Sequence, residues 1–155
     1  MNLQTLRLEL RPKTRADVEA MIDKMTPNER AQISAKWMTM FRAAETANPW
    51  IFGFSAVLPD REVIGTGGFT GPPESGTVEI AYAVEEQYRG KGYATEIAQA
   101  LTEYAFACED VHVVRAHTLP EGAASQRILA KCGFRHVGEI NDPEDGLIWR
   151  FEKPR

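Results

Sequence analysis

The sequence predicts a single α+β domain, on three observations. Strand-like alternation opens the chain: Leu6, Leu8 and Leu10 share one face, Arg7, Glu9 and Arg11 the other. Two helix starts are written out, at Thr14-Arg15-Ala16-Asp17 and Thr26-Pro27-Asn28-Glu29, each with an N-cap threonine and an acidic residue three places on. Beyond Trp50, short strand-like and helical stretches alternate, giving the order β-α-α-β-β-β-α-β-α-β-β.

Taken in order, Pro12 ends the first strand and the Thr14 box starts a short helix. The Thr26 box starts a second helix, expected to run through Trp37, Met40 and Phe41 and to stop before Asn48-Pro49. Trp50 to Val57 and Val63 to Thr70 read as a hairpin around Pro59-Asp60. After the loop Gly71 to Gly76, Thr77 to Val84 is a strand. A glycine-rich loop then leads to a helix over Gly92 to Cys108, with the apolar stripe Ala94, Ile97, Ala98, Leu101, Ala105 and Cys108. A strand at Val111 to Thr118 and a helix at Gly122 to Cys132 follow, with Gly133 placed for a left-handed C-terminal cap. Phe134 to Ile140 and Leu147 to Phe151 are the last two strands, around an acidic turn at Asn141 to Gly146.

The 155 residues fit one domain, 1–155, large enough for a real core. With 43% hydrophobic and 26% charged residues, the chain is neither disordered nor membrane-like. Its start lacks the basic-then-apolar layout of a secretory signal. Cys108 and Cys132 sit inside helical patterns and are too few for a disulfide framework, so a reduced, cytoplasmic protein is expected. The formal charge of −4 argues against a nucleic-acid partner and for a cationic one. His112, His117, His136 and the cysteines show no metal-ligand spacing, so no metal is expected. Monomer and homodimer both stay open.

Gln87-Tyr88-Arg89-Gly90-Lys91-Gly92 joins a strand to a helix. First-turn N–H groups lack intrahelical partners and the helix dipole favours an anion, so such a turn is suited to phosphate. Gly90 and Gly92 allow close backbone approach, and Arg89 and Lys91 add charge. Neither a P-loop ending nor the G-x-G-x-x-G dinucleotide fingerprint is present. Taken alone, the loop fits a pyrophosphate site or a tight turn with solvated basic residues.

Together, Val78 to Val84 and Gln87 to Glu96 resemble the acetyl-CoA signature of the GNAT superfamily of N-acetyltransferases. A second stretch, Glu121-Gly122-Ala123-Ala124-Ser125-Gln126-Arg127-Ile128-Leu129-Ala130-Lys131-Cys132-Gly133-Phe134, resembles that family's last helix. The nearest branch by resemblance is the ribosomal-protein N-terminal (alanine/serine) acetyltransferase type. The resemblance implies a central mixed, mostly antiparallel sheet of about seven strands flanked by about four helices. It implies acetyl-CoA as co-substrate, with a pantetheine arm along a splayed strand at Ala83 and Val84. The pyrophosphate would lie against Gln87, Arg89, Gly90, Lys91, Gly92, Tyr93 and Ala94, with Gly122 and Ser125 contacting the arm from the last helix.

Amide formation needs a neutral amine. At pH 7 a lysine-type amine pays roughly 4.6 kcal/mol for deprotonation, an α-amine only about 1 kcal/mol. Glu79, sharing its strand face with Ala81 and Ala83, is the candidate base; the alternative is a solvated or arginine-paired glutamate. Ser125, in the inward stripe with Ile128, Leu129 and Cys132, is the candidate to protonate or hydrogen-bond the departing sulfur. Its alternative is a helix-start serine bonding back to the backbone. A backbone N–H near Val84 is the expected donor to the thioester oxygen. Two positions depart from the family pattern: Gly122 replaces the usual asparagine, and Leu129 stands where many relatives carry a tyrosine acid. Cys132, Trp37, Phe41 and Trp50 read as core, and His117 as either a structural histidine or an acceptor contact.

The expected function is acetyl transfer from acetyl-CoA to a primary amine, a protein N-terminus or a small molecule, by direct attack in a ternary complex. A non-catalytic acyl-CoA-binding or sensing domain is the alternative, and a nucleotide-binding module using the same loop the third reading.

Overall fold

A computed structural model describes residues 2–155. Leu8 and Leu10 are fully buried, as the alternation requires, but Leu6 is 91% exposed. The opening strand is broken into β1 (Leu3–Gln4) and β2 (Glu9–Pro12), which pair antiparallel. Between them the Thr5 N–H donates to the Leu8 carbonyl at 2.9 Å, and Leu6 stands in solvent on the turn.

Both capping boxes form. The Thr14 box starts α1 (Arg15–Lys24) and the Thr26 box starts α2 (Pro27–Ala31). The second helix does not continue to Phe41. Ser34 accepts a hydrogen bond from the Trp37 N–H at 3.0 Å, a new N-cap that starts α3 (Ala35–Ala43) separately. The strand expected from Trp50 also begins differently, as the helical turn α4 (Pro49–Phe52). Asn48 caps it and Pro49 pre-sets its first dihedral. Gly53, at φ +73°, then turns the chain into β3 (Phe54–Val57); a Cβ there would lie 2.8 Å from the Gly67 carbonyl oxygen.

The remaining elements follow the sequence closely: β4 (Val63–Phe69), β5 (Thr77–Val84), a 3₁₀ turn (Glu86–Tyr88), α5 (Tyr93–Phe106), β6 (Val113–Thr118), α6 (Ala123–Lys131), β7 (Arg135–Asp142) and β8 (Gly146–Pro154). The strands form one sheet of eight in the order β1-β2-β3-β4-β5-β6-β8-β7. All its pairings are antiparallel except β5 with β6. The splits at Leu6, Ser34 and Asn48-Pro49 account for eight strands and six α-helices among the described residues where about seven and four were expected.

The main core lies between the sheet and α5. Ile97, Ala98, Leu101 and Ala105 are fully buried against Phe54, Ile64 and Val114. A smaller cluster of Val18, Phe41 and Phe52 sits under α1, α3 and α4. There Trp37 stacks on Phe41 at 5.3 Å and donates its indole N–H to the Ile51 carbonyl at 2.8 Å. Trp50 packs on Phe69 and Tyr104 of the main core, so these aromatics are structural. Between the small cluster and the sheet, Lys13 is buried with its Nζ on the Thr66 hydroxyl and 3.4 Å from the Met21 sulfur. No helix among the described residues is long and apolar enough to cross a membrane.

Candidate active site

The one parallel pairing among the described residues is short. β5 and β6 are in register only over Thr77–Glu79 with Val113–Arg115. Beyond that, β5 stays with β4 through Val84 while β6 stays with β8 through Thr118, so the two strands diverge. Backbone pairing of Thr70 with Glu79 and of Glu85 with Ile64 turns alternate amides of β5 toward β4. The amides of Tyr82 and Val84 therefore face the opening, whereas that of Ala83 faces β4. This corrects the expectation that Ala83 and Val84 both present backbone to a ligand. The two amides that face the opening are those of Val84 and Tyr82. Ala83 contributes its exposed side of the strand instead.

A groove of about 500 Å³ fills the divergence. Ala83, Val84, Arg89, Gly90, Gly92, Tyr93, Ala94 and Ser125 line it, all predicted site residues. Gln87, Lys91 and Gly122 do not. The Gln87 side chain turns back to Glu85, and the Lys91 carbonyl accepts from Arg7. Gly122 packs against Leu119 in the turn before α6, where a Cβ would lie 3.1 Å from the Leu119 carbonyl.

The loop has the form of an anion cradle. Gly90 (φ +76°) and Gly92 (φ +87°) adopt the left-handed conformation, and nothing lies within 4 Å of where a Gly90 Cβ would be. Gly92 is the N-cap of α5 and makes no side-chain cap, so no cap side chain occupies the first-turn N–H groups. Arg89 is more constrained than expected, because its Nε donates to the Val84 carbonyl at 3.0 Å and ties the loop to the end of β5. Across the groove, α6 brings Ser125, Arg127, Ile128 and Lys131. Sequence reasoning missed Arg127 and Lys131. Their i, i+4 spacing on the groove side of α6 was the available signal.

Glu79 opens into a second cavity of about 400 Å³, between the closed end of the splay and the β7–β8 turn. His117, Ile140, Asp142, Asp145, Ile148 and Arg150 surround it. His117 Nδ1 lies 2.9 Å from Glu79 Oε2, and Arg150 Nε donates to His117 Nε2 at 3.1 Å. Because an arginine nitrogen can only donate, Nε2 accepts and the ring proton sits on Nδ1, donated to Glu79. The partner of Glu79 is thus a histidine held by an arginine, neither the solvent nor the direct arginine pairing weighed from the sequence, and His117 was read only as structural or as an acceptor contact. Asp142 accepts from the Glu144 and Asp145 N–H groups, at 2.8 and 3.0 Å. Those bonds, Asp145 first, hold its carboxyl below the ordinary range. Three carboxylates against one guanidinium make this cavity favourable to a cation. Glu79 and Ala83 are four residues apart on β5, roughly 13 Å at about 3.3 Å per residue. The two cavities lie side by side along one strand.

Ser125 is half-buried on the groove wall, and among the described residues its hydroxyl makes no hydrogen bond back to the backbone. Leu129 is buried in the main core and offers no acid. Cys132 is also buried, with its sulfur 3.7 Å from the Thr95 carbonyl; burial pushes the thiol pKa up, so it packs rather than reacts. No group of histidines, cysteines and carboxylates able to hold a metal occurs among the described residues.

A family model described as "Acetyltransferase (GNAT) domain" matches residues 7–135. The chain belongs to the GNAT acetyltransferase family. Among curated relatives, it is 39% identical over 74 residues to the uncharacterized N-acetyltransferase YjdG of Bacillus subtilis, covering 47% of this chain and 44% of that protein. The chain spans about half or less of the length of the first curated relatives it matches. The same fold occurs in the ribosomal-protein-S5-alanine acetyltransferase of Vibrio fischeri. That structure has a TM-score of 0.74 at 15% identity, over 99% of this chain and 96% of the other. Mycobacterium smegmatis RimJ, solved in complex with CoA-disulfide, gives 0.75 at 19% identity, over 99% and 87%. At these identities the likeness is one of fold.

Proposed function

We propose that the protein transfers acetyl from acetyl-CoA to a primary amine by direct attack in a ternary complex. The observation that carries this reading is the pair of cavities sharing β5, one ending in a glycine-lined anion cradle and the other acidic around Glu79. The donor's pyrophosphate would take the N–H groups of the α5 first turn, with Arg127 and Lys131 facing its charge. Its arm would lie along the amides of Tyr82 and Val84. The acceptor would enter as an ammonium through the acidic cavity and lose its proton to Glu79, directly or through water. His117 and Arg150 fix the carboxylate in place for that transfer. Attack on the thioester carbonyl forms the carbon–nitrogen bond, collapse breaks the carbon–sulfur bond, and the proton shed by the new amide nitrogen goes to the thiolate, directly or through water, with Ser125 on the groove wall as hydrogen-bond partner for the sulfur. Attraction of a cation and a single modest base both suit an α-amine, whose deprotonation costs only about 1 kcal/mol at pH 7. A protein N-terminus is therefore the first candidate acceptor, and a small-molecule amine is the other.

The test is an acceptor screen, peptides with free N-termini against small amines, monitored by CoA release. Glu79→Gln should lower the rate by about 10²-fold or more and change its pH profile, with CoA affinity kept. Ser125→Ala should slow turnover less, since water can protonate a thiolate. CoA binding without turnover on any amine would favour the sensing reading over catalysis. A pH–rate profile left unchanged by Glu79→Gln would remove Glu79 as base.

A further inference from the structure

Arg7 lies far from the donor loop in sequence and grips it in space. Its Nη2 donates to the Lys91 carbonyl at 2.8 Å, and its guanidinium covers the Tyr93 ring at 4.3 Å. The same nitrogen would be 3.1 Å from a Cβ on Gly92. Its Nε donates to Glu96 Oε2 at 2.5 Å, while its backbone N–H donates to Glu96 Oε1 at 3.0 Å. Thr5 completes the set by donating its hydroxyl to Glu96 Oε1 at 2.6 Å. The β1–β2 turn is thus fastened to the loop and to the first turn of α5.

This arrangement has an electrostatic logic. Glu96 sits in the first turn of α5, where a carboxylate stabilises the helix dipole but competes with an incoming phosphate. Burial alone would raise its pKa, yet the bonds from Thr5 and Arg7 hold it below the ordinary range, so it is ionised. Arg7 neutralises that charge at its source while holding the Lys91–Gly92 backbone in the shape that exposes the cradle.

We propose that Arg7 is a positioning residue for the donor, which pre-forms the phosphate loop through Lys91 and Tyr93 and cancels the Glu96 carboxylate beside it. The inference rests on the donor reading given above. It assigns Arg7 an effect on the phosphate-bearing part of the donor and none on the pantetheine arm.

The test compares CoA with pantetheine, which lacks the phosphates, as calorimetric ligands of the full chain. Arg7→Ala should weaken CoA about tenfold or more and leave pantetheine unchanged, since a charged hydrogen-bonded group is lost next to the phosphates alone. Arg7→Lys should recover part of the loss, keeping the charge without the fork. Adding Glu96→Gln to Arg7→Ala should also recover part, because the uncancelled carboxylate is gone. Equal weakening of both ligands would reduce Arg7 to a general structural role and overturn the proposal, as would unchanged CoA binding. Failure of the wild-type chain to bind CoA at all would sink the donor reading, and this inference with it.

Discussion

Replacing Lys13 with methionine is expected to stabilise the protein, and by an amount that depends on pH. Lys13 is only 7% exposed and closes no salt bridge among the described residues; its Nζ has a hydroxyl and a thioether for company. Desolvation, partly offset by Asp17, brings its pKa from 10.5 down to about 8. Below pH 8 both folded and unfolded chains carry the proton, and the folded state bears the whole cost of the buried charge. Between pH 8 and 10.5 the folded chain has released the proton and the unfolded chain has kept it, so stability rises with pH. Above 10.5 the cost is gone. The pKa difference corresponds to about 3 kcal/mol. Methionine removes that cost at pH 7 and forfeits one hydrogen bond to Thr66, whose hydroxyl still donates to the Phe54 carbonyl at 3.1 Å. The net gain expected at pH 7 is about 2 kcal/mol, or a urea midpoint raised by about 1 M. Urea titrations of both proteins from pH 7 to 10.5 should show the gap closing above pH 8. A constant gap, or a variant less stable at pH 7, would refute the reasoning.

Gly90→Val should weaken CoA binding, because the residue must hold φ +76° at roughly 1–2 kcal/mol and its side chain would fill the open cradle; titration with CoA reads this directly, and normal affinity would displace the phosphate from this loop. Ser34→Ala should cost about 1 kcal/mol by removing the N-cap of α3, read from the thermal midpoint, and no loss would mean the α2–α3 break has another cause.

The elements from β4 onward were legible because each is marked locally. Alternation in Thr77–Val84 and the helical stripe of Ile97, Ala98 and Leu101 both survive in the structure as buried faces. The misreadings fall where two local signals compete. Ser34 lies within an apparently continuous helical pattern, and its capping power outweighed that pattern. At Asn48-Pro49 a cap and an N1 proline outweighed the strand-like run of apolar residues behind them. The candidate site divides in the same way. Its glycines and Ser125 belong to short contiguous motifs and were visible. Arg150, the His117 contact and Arg7 come from strands and turns that only the fold brings together. The alternation that assigned Arg7 a solvated strand face missed both the turn that carries it between β1 and β2 and the contact with α5.

The short seam between β5 and β6 has a consequence for how the molecule holds together. Only three residue pairs stitch strands β1–β5 to strands β6–β8 at this point, so the sheet is two leaves joined near one end. A ligand lying along Tyr82 and Val84 would act as a strut between the leaves. Whatever fills the cleft contributes to cohesion as well as to chemistry, adding about 2.7 kcal/mol to the folded state at a hundredfold excess over its dissociation constant. Starved of that ligand, the protein would breathe first along this seam.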